Sequence, residues 1–164
     1  MQKKAKLLFL KNVLQFGAMP KAMPLNADAE IADVLRSVKT IALLGASPKP
    51  ERPSNEVMRF LLEKGYSVYP VNPGLAGSEL LGQQVYGSLG DIPIAIDMVD
   101  VFRNASFLPQ IVEDVIACPA SVLWTQLDVV DHEAASRAEA RGVRVVMDRC
   151  PAIEWPRLRS LGLL

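Results

Sequence analysis

The stretch Thr40-Ile-Ala-Leu-Leu-Gly-Ala-Ser-Pro-Lys-Pro-Glu-Arg-Pro-Ser54 runs from a short apolar segment into Gly45-Ala46-Ser47, and a helical pattern begins near Ser54. Read in order, it is a buried strand, a tight turn and a helix N-terminus. Small residues at such a turn let a ligand approach the backbone, and amides at a helix start attract anions. The order therefore implies a phosphate-bearing ligand at the carboxyl end of a parallel sheet.

Working outward, strands and helices alternate. Ile31, Val34, Leu35 and Val38 recur at helical spacing behind the capping residues Asn26 to Asp28. Strands are expected at Thr40–Leu44, Ser67–Val71, Ala95–Val101, Ser121–Trp124 and Val143–Met147. A helix over Ser54–Lys64 stops at Gly65. Another uses Leu108, Ile111, Val112, Val115 and Ile116 as its apolar face, and Asp131 caps an alanine-rich helix that stops at Gly142. Residues 75–93 read as a long loop, with Val85-Tyr86 extended and a turn of helix near Leu89. The tail after Pro151 reads as irregular. This alternation implies an α/β fold: a Rossmann-like, doubly wound parallel sheet of about five strands with helices on both faces, expected in the order 3-2-1-4-5.

The 164 residues suit one domain, and 50% of them are apolar. The formal net charge is zero, so no global field favours nucleic acid or an anionic membrane. Two cysteines and one histidine support neither a disulfide scaffold nor a metal site, and a reducing cytoplasm is the expected compartment. Residues 1–26 read as an extension that is disordered, packs on the domain, or lies upstream of a start at Met19 or Met23, and 27–164 as the folded domain. The apolar run Leu7–Leu10 is too short for a signal peptide, and nothing approaches the roughly 20 apolar residues of a membrane span.

Three catalytic patterns are missing. Gly45-Ala46-Ser47-Pro48 does not fit the dinucleotide fingerprint, and Val71-Asn72-Pro73 has no acid for ribose hydroxyls. Neither a Walker loop nor a nucleophile elbow is present. No catalytic residue is assigned.

Five segments together resemble a known family: Gly45-Ala-Ser-x-x-x-x-Arg-Pro-Ser54, Gly65-Tyr-x-Val-x-Pro-Val-Asn-Pro73, Asp97-Met-Val-Asp-Val-Phe-Arg103, Leu123-Trp-x-Gln126 and Val146-Met-Asp-Arg-Cys-Pro-x-Ile-Glu154. They look like the small stand-alone bacterial CoA-binding proteins, whose domain is similar to the CoA-binding domain of the succinyl-CoA synthetase alpha subunit. The likeness runs from Val38 to Leu158. It implies a Rossmann-like domain that binds coenzyme A or an acyl-CoA as a non-enzymatic buffering, sensing or presenting module, with room for a protein partner. A small acyl-CoA-dependent enzyme, an NAD-linked oxidoreductase and a ligand-free scaffold stay open as alternatives.

Gly45, Ala46 and Ser47 are the first candidates for phosphate contact. Arg52 reads as a phosphate partner or a solvated charge, and Ser54 as a partner or only a helix cap. Asn72 and Pro73 are expected at the adenosine end, or serve their own turn. Val101, Phe102 and Arg103 end the third strand at the expected crevice. Trp124 reads as cofactor wall or core, and Gln126 as an amide for the pantetheine. Asp128 stands where the family pattern has glycine, which challenges close approach there. Cys150 is the candidate for a mixed disulfide with coenzyme A, its thiolate favoured by Arg149, or else a buried inert thiol. His132 is assigned no role.

Overall fold

A computed structural model describes residues 23–164. The extension expected over 1–26 lies outside the described residues as far as residue 22. Within its last part, the Leu25 amide donates to the Val145 carbonyl at 2.7 Å, and Asn26 accepts from Arg149.

The described chain forms α1 (Asp28–Ser37), β1 (Thr40–Leu44), α2 (Pro53–Glu63) and β2 (Ser67–Val71). A small hairpin of β3 (Glu79–Leu80) and β4 (Gln83–Gln84) follows, then β5 (Met98–Val101), α3 (Leu108–Ala117) and β6 (Val122–Thr125). The chain closes with α4 (His132–Glu139), β7 (Arg144–Val146) and α5 (Pro151–Ser160). The five long strands are all parallel. One face is covered by α1, α2 and α5 over Ile41, Leu43, Met98 and Trp124. The other is covered by α3 and α4 over Ala42, Val99, Val101 and Leu123. Each fully buried Leu, Ile or Met in these layers contributes about 1.5–3 kcal/mol.

The doubly wound parallel sheet is as expected, but its order is not. The strands run β2-β1-β5-β6-β7, which is 2-1-3-4-5 counted along the sheet strands rather than 3-2-1-4-5. The outer edge of β2 is already taken. Tyr86 donates its amide to the Pro70 carbonyl and accepts from Asn72, forming a parallel bridge to Val71. The third sheet strand must therefore pair with the other side of β1, and its entry is fixed there by Asp97. The Asp97 carboxylate accepts the Lys39 and Thr40 amides at 2.8 and 3.0 Å, and the Asp97 amide donates to the Thr40 hydroxyl at 2.9 Å.

The tail is a second departure. It forms α5 rather than irregular chain, because Pro151 occupies the first turn, where no amide is required. Pro156 sits inside the helix, which is held in place from outside. Arg157 donates to Asp28 of α1 at 2.6 Å and to Glu154 at 2.6 Å. Trp155 packs edge-on against Phe60 of α2, with ring centroids 6.3 Å apart.

Burial works upward on the Asp97 carboxyl, but the Lys39 and Thr40 hydrogen bonds outweigh it and hold its pKa below the ordinary carboxylate value. Its contribution to stability is therefore full above that ordinary value and is lost as pH falls through the lowered folded-state value. Asp97→Ala, which orphans two amides, should cost about 1–2 kcal/mol at neutral pH. Urea denaturation of the two proteins at decreasing pH should show the gap closing in acid; a constant gap would contradict this role.

Candidate functional site

In a sheet of this order the switch point lies between β1 and β5, and the crevice opens at their carboxyl ends. A cleft of about 970 Å³ is found there. One wall is the Gly45–Arg52 turn and the first two turns of α2. The other is Gln126, Leu127 and Val129 after β6, with Cys150, Ala152 and Ile153 at the start of α5. Phe102 and Ala46 also line it. The Phe60–Trp155 contact holds the two helices that flank it, and Lys64 lies 4.2 Å over the Trp155 ring. A smaller pocket of about 270 Å³, which includes Pro73, Leu89 and Phe107, shares Gly45 and Arg103 with the large one.

Gly45 is required by backbone geometry. Its φ is +93°, and a Cβ there would stand 2.5 Å from the Phe102 carbonyl oxygen. Its amide and that of Ala46 both donate to the Val71 carbonyl, at 3.0 and 3.2 Å. These two amides are thus engaged within the fold, contrary to their expected availability to a phosphate. Among the described residues, the amides of Ser47 and Ser54 have no acceptor, and both residues line the cleft. Pro53 opens α2 and cannot donate, which leaves Ser54 to present the first amide of the helix. Asn55 steadies the turn through its side-chain amide, which donates to the Ser47 carbonyl at 3.0 Å.

Three cations line the cleft: Lys49, Arg52 and Arg103. Among the described residues none of them is in a salt bridge, whereas Arg137, Arg144, Arg149 and Arg157 all are. The Arg103 guanidinium instead lies 4.3 Å over the Phe107 ring, between the two pockets. Lys49 escaped sequence reasoning; a lysine between two prolines, just before a helix start, was the available signal.

Other expected residues fall elsewhere. Val101 is fully buried in the α3/α4 layer and Trp124 in the layer below α1, α2 and α5, and neither lines the cleft. The Trp124 indole donates to the Arg149 carbonyl at 2.7 Å. Asn72 reaches the cleft, yet its side chain donates to the Ala46 carbonyl and accepts from the Gly74 amide, both at 2.8 Å. Pro73 lies in the smaller pocket. Asp128 adopts the glycine-like conformation directly, at φ 64°, and its amide donates to the Asp148 carboxylate at 2.7 Å. The missing glycine therefore does not reshape this turn, because aspartate tolerates the left-handed region when its backbone is so held.

Cys150 lines the cleft, but Arg149 is not positioned as its activator: Arg149 is paired with Glu154 at 3.3 Å and bonded to Asn26. Burial pushes the Cys150 thiol above its ordinary range, and the charges of Asp100 and Glu154 add to the shift. Asp100 itself was not singled out from the sequence. It is fully buried, its carboxyl accepts from Gln126 at 2.7 Å, and its second oxygen has no partner. Among the described residues, no cluster of three metal-ligating side chains is found and no helix is long and apolar enough to cross a membrane.

Comparison with known proteins identifies related chains and folds. The CoA binding domain family matches residues 39–156. The chain is 38% identical over 122 residues to the uncharacterized protein YneT of Bacillus subtilis, covering 74% of this chain and 89% of that one. It is 36% identical over 86 residues to the alpha subunit of an ADP-forming acetate–CoA ligase of Pyrococcus furiosus; this covers 50% of the chain but only 19% of the ligase subunit. The structure of a hypothetical protein from Pyrococcus horikoshii superposes with a TM-score of 0.78 at 42% identity, covering 86% of this chain and 99% of that one.

Two outcomes follow. Gly45→Ala forces the Phe102 carbonyl to move and should cost about 2 kcal/mol, lowering the Tm by roughly 4–8 °C; an unchanged Tm would show that this contact is not a constraint. Cys150 should react with oxidised coenzyme A more slowly than a free thiol near neutral pH and faster as pH rises through its elevated pKa, read by intact mass. Fast modification at neutral pH would contradict the surroundings assigned to it.

Proposed function

The chain belongs to the CoA binding domain family, and from that premise we propose that it binds coenzyme A or an acyl-CoA in the cleft between α2 and α5, as a binding module without catalysis of its own. The observation that carries this reading is the division of the cleft. Lys49, Arg52 and the amides of Ser47 and Ser54 belong to the β1–α2 connection and the start of α2, and the Arg103 side chain lies against Gly45, while Phe102, Leu127, Val129 and Ile153 offer apolar surface to a thin arm. A nucleotide with a pyrophosphate and a ribose phosphate suits the first group. Pantetheine suits the second, with Gln126 for an amide and Cys150 near its thiol end. Pro73 and the smaller pocket beside Arg103 suit the adenosine.

Several observations support the ligand over a nicotinamide dinucleotide. The end of β2 carries Asn72, whose carboxamide is engaged by the turn, so no carboxylate meets a ribose there. A negative group at that place would repel the ribose phosphate of coenzyme A. No histidine lines the cleft, and Glu56 is its one carboxylate, so a nucleophile–base pair is not evident around it. Free Cys118 and Cys150 suit a reducing cytoplasm. Residues 27–164 act in this reading as one binding domain.

Ligand that binds only the folded state raises its apparent stability by mass action. Thermal unfolding should therefore shift upward with coenzyme A and stay unchanged with NAD. Calorimetry should show Arg103→Ala weakening coenzyme A by about tenfold, the loss of one charge-assisted contact, with a larger effect at low salt. No shift with coenzyme A, or full affinity in Arg103→Ala at low salt, would refute the ligand or the place assigned to its phosphates; release of free coenzyme A from acetyl-CoA would refute the non-catalytic role.

A further inference from the structure

A carboxylate lies directly beneath the cleft, and the binding reading does not use it. Asp100 stands in the middle of the sheet, in register with Leu43 of β1 and Trp124 of β6. No part of it is exposed, and one of its oxygens has no hydrogen-bond partner. Such a group is costly to bury, so a structural carboxylate would be fully paired. Its one side-chain partner is Gln126, whose Nε2 donates to it at 2.7 Å. Gln126 is 8% exposed and lines the cleft. The Gln126 carboxamide has one donor end and one acceptor end, and Asp100 determines which of the two is held inward.

We propose that Asp100 is a positioning residue that sets which end of the Gln126 carboxamide faces the cleft, so that the site favours thiol-terminated coenzyme A in one protonation state and its acyl thioester in the other. With Asp100 ionised, Gln126 points its amino group inward and presents a carbonyl oxygen, which accepts from a ligand S–H or N–H. With Asp100 protonated, its hydroxyl donates to that oxygen, the carboxamide turns over, and Gln126 presents N–H to a thioester carbonyl. This rests on coenzyme A being the ligand.

The groups around Asp100 allow this exchange near neutrality. Burial raises its pKa to about 7, against the opposing hydrogen bonds of Gln126 and the Val101 amide. From the start of α5, Cys150 and Glu154 face this region; Cys150 stays a thiol, and Glu154 is held by Arg149 and Arg157. The neighbours from β1 and β6, Leu43 and Trp124, carry no charge, and α2 turns Met58 and Leu61 toward the same layer. The cations Lys49, Arg52 and Arg103 line the cleft itself.

The test is the ratio of acetyl-CoA to coenzyme A affinity, measured by calorimetry at pH 6 and pH 8; titration of the shared nucleotide phosphates cancels in that ratio. In the unaltered protein the ratio should be about fivefold higher at pH 6, the worth of one exchanged hydrogen bond. In Asp100→Asn and Gln126→Met it should change by less than about twofold. Gln126→Met stands at the cleft surface and keeps the comparison available if Asp100→Asn fails to fold. A ratio that does not change with pH in the unaltered protein, or changes equally in the variants, overturns the role of Asp100 while leaving coenzyme A as the ligand. Failure of both ligands to bind at both pH values overturns the two readings together.

Discussion

The Val71 carbonyl ties two strand ends together, and Gly45 brings in a third. The carbonyl accepts both the Gly45 and Ala46 amides, so the turn after β1 is bound to the end of β2. The same turn presses against β5, because Gly45 leaves no room for a side chain beside the Phe102 carbonyl. The consequence is that the turn is built for closeness and not for donating its own first amides. Among the cleft-lining residues of this connection, unpaired amides are found at Ser47 and, past the prolines, at Ser54 in the first turn of α2. The cleft opens where the tied strand ends stop and α2 begins at Pro53.

Charge is organised locally over a chain with no net charge. Arg137, Arg144, Arg149 and Arg157, away from the cleft, are paired with carboxylates, and Arg157 in particular joins α5 to α1 through Asp28 and Glu154. Lys49, Arg52 and Arg103 are left without such partners among the described residues. A protein of neutral charge thereby concentrates positive potential at one mouth, which suits a small polyanion and gives little attraction to a nucleic acid or a lipid surface. Beneath that mouth lies the carboxyl of Asp100, kept out of water and hydrogen-bonded to the cleft through Gln126.

Much of the fold was readable because its signals are local. The apolar run Ile41–Leu44 breaking into Gly45, the stop at Gly65 and the Asp131 cap each act within a few residues. Strand order was not readable, since both common doubly wound orders satisfy the same crossover handedness. The choice depends on Tyr86 closing the edge of β2, a contact between a loop and a strand. The helix of the tail is not legible locally, because prolines punctuate its sequence and α5 is secured by distant partners, Asp28 and Phe60. In the site, the turn and Arg103 were legible from position, but Trp124 and Val101 were not separable from core by strand ends alone. Asp100 gives a fainter signal, a lone carboxylate between Val99 and Val101 in a strand buried on both faces.

Central to the account is that the phosphates of coenzyme A meet the cleft at the switch point between β1 and β5. A crystal structure grown with coenzyme A tests it directly. The pyrophosphate should lie within hydrogen-bond distance of the Ser47 or Ser54 amide, with Arg103 beside a phosphate and the pantetheine running past Phe102 toward Gln126. Coenzyme A density on another face of the sheet, with the cleft empty, would contradict it.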